Sequence, residues 1–307
     1  MKYYKNKVII GIDHGYGNIK TANHVFRTGV LKHDAEPLFT KNLLVYDGRY
    51  YTIGEGHKEF TPEKQIDEDY YVLTLAAIAM ELHSVGKTDA DVFIAAGLPL
   101  TWTNGQKSEF SAYLTKNSEV TFTFQRVRYR IRILGANIYP QGYAAVSEYS
   151  AKLKGVNMVA DVGNGTMNTL TIINGVPQQG RMFTEQFGTY QCTLAVREAF
   201  SQKTHRNIDD SIIEEVLING AADIGEKDLE IITATATEYV RDIFRRLREH
   251  GYDDKTVTLY VTGGGGCLIR NFGSYNANRV FFVDDIRAAA RGYEYMAELQ
   301  FERGVRI

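Results

Sequence analysis

Two segments of this chain repeat one pattern, a hydrophobic run that ends in aspartate and is followed by two closely spaced glycines. The first runs from Val8 to Lys20 and reads VIIGIDHGYGNIK, and the second runs from Met158 to Leu170 and reads MVADVGNGTMNTL. In both copies the glycines stand two and four positions after the aspartate. A strand, a glycine turn and a return strand can wrap backbone N–H groups around a phosphate. Because the copies lie about half a chain apart, the pattern predicts two related lobes that close on one nucleotide.

Length and composition exclude several classes of protein. The chain has 307 residues, which is enough for two modest domains, and its net charge of −2 excludes a polycation that binds DNA directly. Its two cysteines, Cys192 and Cys267, form no C-x-x-C motif, which argues against a zinc site or a redox pair. No hydrophobic run is long enough for a signal peptide or a membrane span. We therefore expect a cytoplasmic protein with reduced thiols and no membrane contact.

Strand and helix patterns alternate along the chain, which predicts an α/β fold. The two glycine segments are expected to form hairpins over 8–30 and 157–175, and a smaller hairpin is expected around Asp47-Gly48. Helices are predicted at Tyr70–His83, at Gln141–Lys154, within a mostly helical region 182–250, and at 286–302. The segments 91–99, 256–262 and 279–283 are expected to be further strands.

Arginine is concentrated on two of these elements. Val120 to Leu134 alternates as a strand would, with Arg126, Arg128, Arg130 and Arg132 on one face. A second arginine cluster, at positions 241, 245, 246 and 248, lies on a predicted helix. Both are expected to be solvated faces, and a docking surface for another protein subunit or an acidic partner is the alternative.

Each glycine turn carries side chains suited to a nucleotide phosphate. Asp13 ends the first strand and is suited to hold Mg²⁺ through water, Gly15 and Gly17 open the backbone to an anion, and Lys20 adds a cation. The second turn offers Asp161, followed by Gly163, Gly165 and Thr166. An ordinary glycine turn with a surface lysine is the alternative for the first segment, and coincidence is the alternative for the repeat.

Two further elements extend the predicted site. Gln141, directly after Pro140, is predicted to open a helix, where its amide could orient a water toward a phosphate; an ordinary first-turn residue is the alternative. The run Gly263–Gly266 follows a predicted strand and would let a base or ribose lie close to the backbone, although glycine runs also form plain loops.

Taken in order, these motifs resemble those of the actin/Hsp70/sugar-kinase superfamily. The set comprises Asp13-x-Gly15 with Lys20, Pro140-Gln141, Asp161-x-Gly163-x-Gly165 and Thr262-Gly263-Gly264-Gly265, and Ala289-x-x-Gly292 resembles the second connecting helix. The length and the Asn18-Ile19-Lys20 segment are most similar to the ParM/StbA plasmid-segregation group of actin-like ATPases.

The resemblance implies an actin-like (ribonuclease H-like) α/β fold of two duplicated domains with a nucleotide cleft between the lobes. Domain I would span 1–154, with a small subdomain at roughly 31–68. Domain II would span 155–307, with a small subdomain at roughly 182–250, and the final helix 286–302 would pack back on domain I.

The resemblance also implies residue roles. Asp13 and Asp161 would organise Mg²⁺ through water, and Gln141 and Asp161 would act in hydrolysis. The residues expected to contact the nucleotide, ATP or alternatively GTP, are Gly15, Tyr16, Gly17, Asn18, Lys20, Gly163, Asn164, Gly165, Thr166, Gly263, Gly264 and Gly265.

The implied function is an ATPase that assembles with itself into polar filaments and segregates plasmid DNA through a DNA-binding adaptor of the ParR type. Hydrolysis would drive filament disassembly. A non-polymerising small-molecule kinase and a nucleotide-binding scaffold of the same superfamily are the alternatives. The kinase would require a carboxylate base where this chain has Gln141.

Overall fold

The structure is a computed structural model that describes residues 1–38, 41–56, 67–99, 103–147, 149 and 152–304. It divides into two compact units, one formed by Met1–Glu148 with Arg287–Ile307 and the other by Tyr149–Ile286. Each unit combines a sheet with helices, which confirms the predicted α/β class. Among the described residues, no helix has the length and apolar character required to cross a bilayer.

The elements are named in chain order. The strands are β1 (Lys2–Tyr4), β2 (Lys7–His14), β3 (Asn18–Lys20), β4 (Val25–Arg27), β5 (Val30–His33), β6 (Leu43–Tyr46), β7 (Arg49–Ile53), β8 (Asp89–Leu98), β9 (Glu119–Phe124), β10 (Val127–Pro140), β11 (Val156–Val162), β12 (Met167–Ile173), β13 (Val176–Glu185), β14 (Thr258–Thr262) and β15 (Val280–Phe282). The helices are α1 (Glu68–His83), α2 (Thr103–Leu114), α3 (Tyr143–Ser147), α4 (Thr189–Thr204), α5 (Asp210–Asn219), α6 (Glu226–Glu249), α7 (Gly266–Phe272) and α8 (Ala288–Glu302).

The first unit is built on a ten-stranded sheet in the order β4-β3-β2-β8-β10-β9-β6-β7-β5, with β1 also paired to β2. The central strands β2, β8 and β10 are parallel. Both faces of β2 are covered, because Ile10 and Ile12 pack in the core that contains α1, while Ile9 packs with Tyr293 of α8. A strand buried on both faces needs apolar residues at every position rather than at alternate ones, as the run VIIGI shows.

Two buried glutamates connect helices of this unit to other segments, Glu294 to strand β2 and Glu81 to the loop after β3. Glu294 of α8 accepts a hydrogen bond from the Gly11 N–H at 2.9 Å, and burial raises the pKa of its carboxyl to about 7. Burial also opposes ionisation of Glu81 of α1, but hydrogen bonds from Thr21 and Asn23 and the nearby Met1 amine leave its pKa lowered. As pH rises, the contribution of Glu294 to stability therefore falls, whereas that of Glu81 increases.

The second unit has a five-stranded sheet in the order β13-β12-β11-β14-β15. β11 pairs antiparallel with β12 and parallel with β14. Alternate residues of β11, namely Met158, Ala160 and Val162, pack in a core with residues from α4, α5 and α6. The predicted second hairpin is confirmed, including its Asn174-Gly175 turn, where both residues have positive φ.

Two local predictions are wrong. The segment 120–134 is a hairpin rather than one strand, because Gln125 and Arg126 form its turn with φ of 51° and 66°, so Arg126 does not share a strand face with Arg128. Pro140 ends strand β10, and Gln141 lies in a turn before the short helix α3, so it does not begin a helix. Residues 148, 150 and 151 of that predicted helix lie outside the described residues, as do 39–40 and 57–66 of the predicted subdomain 31–68.

Candidate functional site

The carboxyl ends of three neighbouring parallel strands meet at one edge of the first sheet. Asp13 lies near the end of β2, and Pro140 at the end of β10 is in register with Leu98 at the end of β8. The Gln141 N–H continues this pairing by donating to the Leu98 carbonyl at 2.9 Å. In open α/β sheets, ligands bind outside the carboxyl ends of the strands. The topology therefore delivers Asp13 and Gln141, 128 residues apart in sequence, to an edge suited to a ligand.

Asp13 is the centre of a polar cluster at this edge. Its Oδ2 lies 2.8 Å from Lys20 Nζ, and its Oδ1 accepts a hydrogen bond from Gln141 Nε2 at 3.0 Å. The carboxylate and the amide are both buried, with 6% and 8% of their residue surfaces exposed. The cluster thus combines a carboxylate, a cation and a neutral amide that come from separate segments of the sequence.

In the loop 15–17 between β2 and β3, the Gly15 backbone lies close to the Asn18 carbonyl. A Cβ at Gly15 would lie 2.5 Å from the Asn18 carbonyl oxygen, so a side chain there would force the loop to move. Thr28 fixes the loop from the other side, because its hydroxyl donates to the Gly15 carbonyl at 2.7 Å and its N–H donates to the Gly17 carbonyl at 3.0 Å. Asp13 is in register with Lys20 across this hairpin, which explains why the two side chains meet.

Two residues that are predicted to contact the nucleotide here, Tyr16 and Asn18, differ in exposure. Tyr16 is half-buried, and burial raises the pKa of its phenol, whereas Asn18 at the start of β3 is exposed.

The second glycine turn, in the other unit, connects β11 to β12. Asp161 is in register with Asn168 of β12 and with Thr262 of β14. The turn is closed by a hydrogen bond from the Gly163 N–H to the Thr166 carbonyl at 2.8 Å. Asn164 is exposed at its tip, whereas Gly165 and Thr166 are buried. Asp161 thus occupies the same place in its hairpin as Asp13, one residue before the end of the strand.

The glycine run after β14 packs against this turn. Gly263 has a φ of +85°, and a Cβ there would lie 2.6 Å from Asp161 Oδ1 and 2.5 Å from the Val162 carbonyl oxygen. The Gly265 N–H donates to the same carbonyl at 2.8 Å. Gly264, in contrast, has open space where a Cβ would be. The structure therefore brings the predicted residues Asp161, Gly163, Gly263 and Gly265 together within the second unit.

The start of α4 is a part of this site that the sequence analysis missed. A Cβ at Gly188 would lie 2.3 Å from the Asn164 carbonyl oxygen, and the N–H groups of Thr189 and Tyr190 donate to the carbonyls of Gly163 and Asn164. The Tyr239 hydroxyl of α6 donates a hydrogen bond to the Gly188 carbonyl at 2.7 Å and so fixes this glycine. In the sequence, the isolated Gly188 before a helical pattern was the signal that could have indicated this contact.

Comparisons with known proteins identify actin-like domains in both parts of the chain. Residues 11–143 match the family model of the actin like proteins N terminal domain, and residues 159–272 match that of the archaeal actin homologue MreB-like C-terminal domain. The chain belongs to the actin-like proteins. No curated protein sequence matches it significantly.

Solved actin-like structures resemble the chain over nearly its whole length. The archaeal actin homologue Ta0583, which has also been solved with ADP, matches with a TM-score of 0.77 at 20% identity, over 95% of this chain and 99% of that one. The apo pSK41 ParM protein matches with a TM-score of 0.73 at 17% identity, over 98% and 100%. The Alp12 filament structure matches with a TM-score of 0.68 at 16% identity, over 97% and 100%. At these identities the matches show that this actin-like chain shares the fold.

Proposed function

We propose that the chain is a nucleotide-dependent, filament-forming ATPase that moves or segregates plasmid DNA through a DNA-binding adaptor of the ParR type. The observation that carries the nucleotide part is the cluster around Asp13. One buried carboxylate contacts Lys20 and Gln141 beside a glycine loop that tolerates no side chain at Gly15.

These residues fit Mg²⁺ and a nucleotide phosphate. Asp13 and Asp161 offer carboxylate oxygens, which Mg²⁺ prefers and often contacts through water. Lys20 supplies a cation in the first unit, and each glycine turn by itself supplies backbone groups suited to an anion. In this proposal Mg²⁺ neutralises phosphate charge, and the Gly263–Gly265 segment contacts the adenosine.

In this proposal Gln141 orients the attacking water. Its amide nitrogen donates to Asp13 Oδ1, which leaves the amide oxygen as an acceptor for a water proton. A neutral amide suits hydrolysis, in which positioning matters more than proton abstraction. A small-molecule kinase would instead require a base directed at an acceptor hydroxyl.

The filament and segregation parts rest on the relatives. One is described as a filament structure, and others are ParM proteins, including one with AMPPNP and a non-polymerisable mutant. For this chain we infer self-assembly in the nucleoside triphosphate state, disassembly after hydrolysis, and an adaptor that contacts the DNA.

The test is light scattering of the purified full chain on addition of Mg-ATP, with Mg-GTP and Mg-ADP in parallel and phosphate release followed in the same samples. We expect scattering to rise with a triphosphate, to decay as phosphate appears, and to stay flat with Mg-ADP. Gln141→Ala should slow phosphate release about 10- to 100-fold while scattering still rises, because the residue positions water and does not hold the filament together. Gln202→Ala, on the exposed face of α4, is the matched control.

Two results would contradict the proposal. Triphosphate binding with flat scattering across micromolar protein concentrations would favour the kinase or the scaffold. Phosphate release at the parental rate in Gln141→Ala would remove that residue from hydrolysis. The adaptor is tested by asking whether a neighbouring gene encodes a small basic DNA-binding protein and whether the filaments retain that protein in a pull-down.

A further inference from the structure

A cavity of about 370 Å³ lies in the second unit, where α6 ends and the chain turns toward β14. This volume is within the range of small-molecule sites, roughly 300–1,000 Å³. β14 runs from this region to Gly263, and five residues of strand span about 13 Å between their ends. None of the residues assigned above to the nucleotide lines the cavity.

Aromatic side chains form the inner surface of the cavity. Phe244 of α6 and Tyr252 are each only 5% exposed, and their ring centroids lie 6.1 Å apart. Tyr275, which follows α7, stacks on Phe244 with a centroid separation of 6.2 Å. Such a surface favours a flat apolar group, since aromatic pairs contribute beyond the area that they bury.

The hydroxyl of Tyr252 is a buried polar group with no hydrogen-bond partner among the residues that the structure describes. Burial raises the pKa of this phenol, which keeps it protonated and able to donate. The charges of Asp254 and Arg248 act on the hydroxyl, and both residues line the cavity. The hydroxyl is therefore located near charged groups that a ligand in the cavity would meet.

The rim of the cavity carries both signs of charge. Arg248, in the last turn of α6, and Asp254 are exposed, and neither has an ion-pair partner among the described residues. Asp253 also lines the rim, but its carboxylate accepts a hydrogen bond from the Lys255 N–H at 2.7 Å. A guanidinium and a free carboxylate at one opening complement a ligand that itself carries an anion and a cation.

We propose that this cavity binds a small zwitterion with an apolar side group, of the chemical class of free aromatic amino acids. The ring of the ligand would lie against Phe244 and Tyr275, its ammonium would face Asp254, and its carboxylate would face Arg248. This inference does not depend on the proposed nucleotide function.

The test is calorimetric titration of the full chain with L-phenylalanine, phenethylamine and phenylacetate. The last two lack the carboxylate and the ammonium respectively. We expect saturable binding of L-phenylalanine with a dissociation constant on the order of 1 mM, as suits a ligand of this size, and about tenfold weaker binding of the two single-charge analogues. Absence of saturable binding by L-phenylalanine up to tens of millimolar would overturn the proposal, and so would equal binding of all three compounds.

Variants separate a ligand role from a structural one. Tyr252→Phe removes a hydroxyl that the protein encloses and that has no partner to lose among the described residues, so it should keep both the thermal stability of the parent and its L-phenylalanine binding. Arg248→Gln should weaken it about tenfold, whereas Arg241→Gln, an exposed arginine two turns earlier on α6, should not change it. Equal affinities of the Arg248 and Arg241 variants would refute the assignment.

Discussion

Gly263 and Gly264 are neighbours in one turn, but an added methyl group should affect them very differently. At Gly263, φ is +85°, and a left-handed conformation costs a non-glycine residue about 1–2 kcal/mol. The new Cβ would also lie 2.5 Å from the Val162 carbonyl oxygen and 2.6 Å from Asp161 Oδ1. Relieving such overpacking costs about 1–3 kcal/mol, so Gly263→Ala should destabilise the second unit by about 2–5 kcal/mol.

Gly264→Ala is the matched control. No heavy atom lies within 4 Å of its added Cβ, and its φ is not in the left-handed range. Its stability should therefore stay within about 1 kcal/mol of the parent, and loss of backbone entropy in the unfolded chain would favour the folded state.

The assay is thermal unfolding followed by circular dichroism, with hydrogen exchange to assign the change to the second unit. About 3 °C per kcal/mol is expected for a unit of this size, so Gly263→Ala should melt about 6–15 °C below the parent. Exchange should increase in the β11–β12 turn and in α7, which adjoin Gly263. Equal melting temperatures for the two alanine variants would refute the argument from backbone conformation and close contact.

Three further predictions concern charged groups. Lys20→Met should weaken nucleotide binding at least tenfold, because it removes the cation that contacts Asp13 beside the loop 15–17. Titration with a fluorescent nucleotide analogue measures this effect, and Lys203→Met on the exposed face of α4 is the control. Asp161→Asn should abolish Mg²⁺-dependent hydrolysis while the melting temperature stays near that of the parent, and unchanged hydrolysis would contradict the two-turn site. Because burial raises the pKa of Glu294 from 4.5 to about 7, the folded chain binds the extra proton, so the stability from this group is lost as pH rises through 7. In urea unfolding, the free energy of unfolding of Glu294→Gln should therefore exceed that of the parent by about 3 kcal/mol above pH 7 and by little near pH 4.5. Glu81→Gln should behave in the opposite way, because the carboxyl that it replaces has a lowered pKa. It should be less stable than the parent at neutral pH and should approach the parent as pH falls.

Local patterns were sufficient to predict the parts of the site that lie within one hairpin. Asp13 and Lys20 meet because an antiparallel hairpin with a short turn sets its own register, and the second hairpin sets Asp161 opposite Asn168 in the same way. The buried helix α1 was also evident, since its apolar residues surround it on all sides.

Prediction failed where local preference and tertiary pairing disagree. Pro140 suggested a helix start, but the parallel pairing of β10 with β8 extends the strand through Pro140 and places Gln141 in a turn. The alternating run 120–134 suggested one strand, yet two residues with positive φ, Gln125 and Arg126, divide it into a hairpin. In the segment 120–134 the alternation was correct and only the chain reversal was missed, whereas at Pro140 the type of element itself was wrong.

The sequence by itself determined the elements, the two aspartate–glycine turns and the residue types that a phosphate site requires, because hydrophobic periodicity and turn chemistry act over a few residues. Only the tertiary structure decided which distant groups share a site. Gln141 reaches Asp13 because β2, β8 and β10 are parallel neighbours whose ends coincide, and Gly188 reaches Asn164 because α4 begins against the second turn. Such contacts depend on strand order and helix placement, which are set by burial of the whole core and are not encoded in the spacing of any one segment.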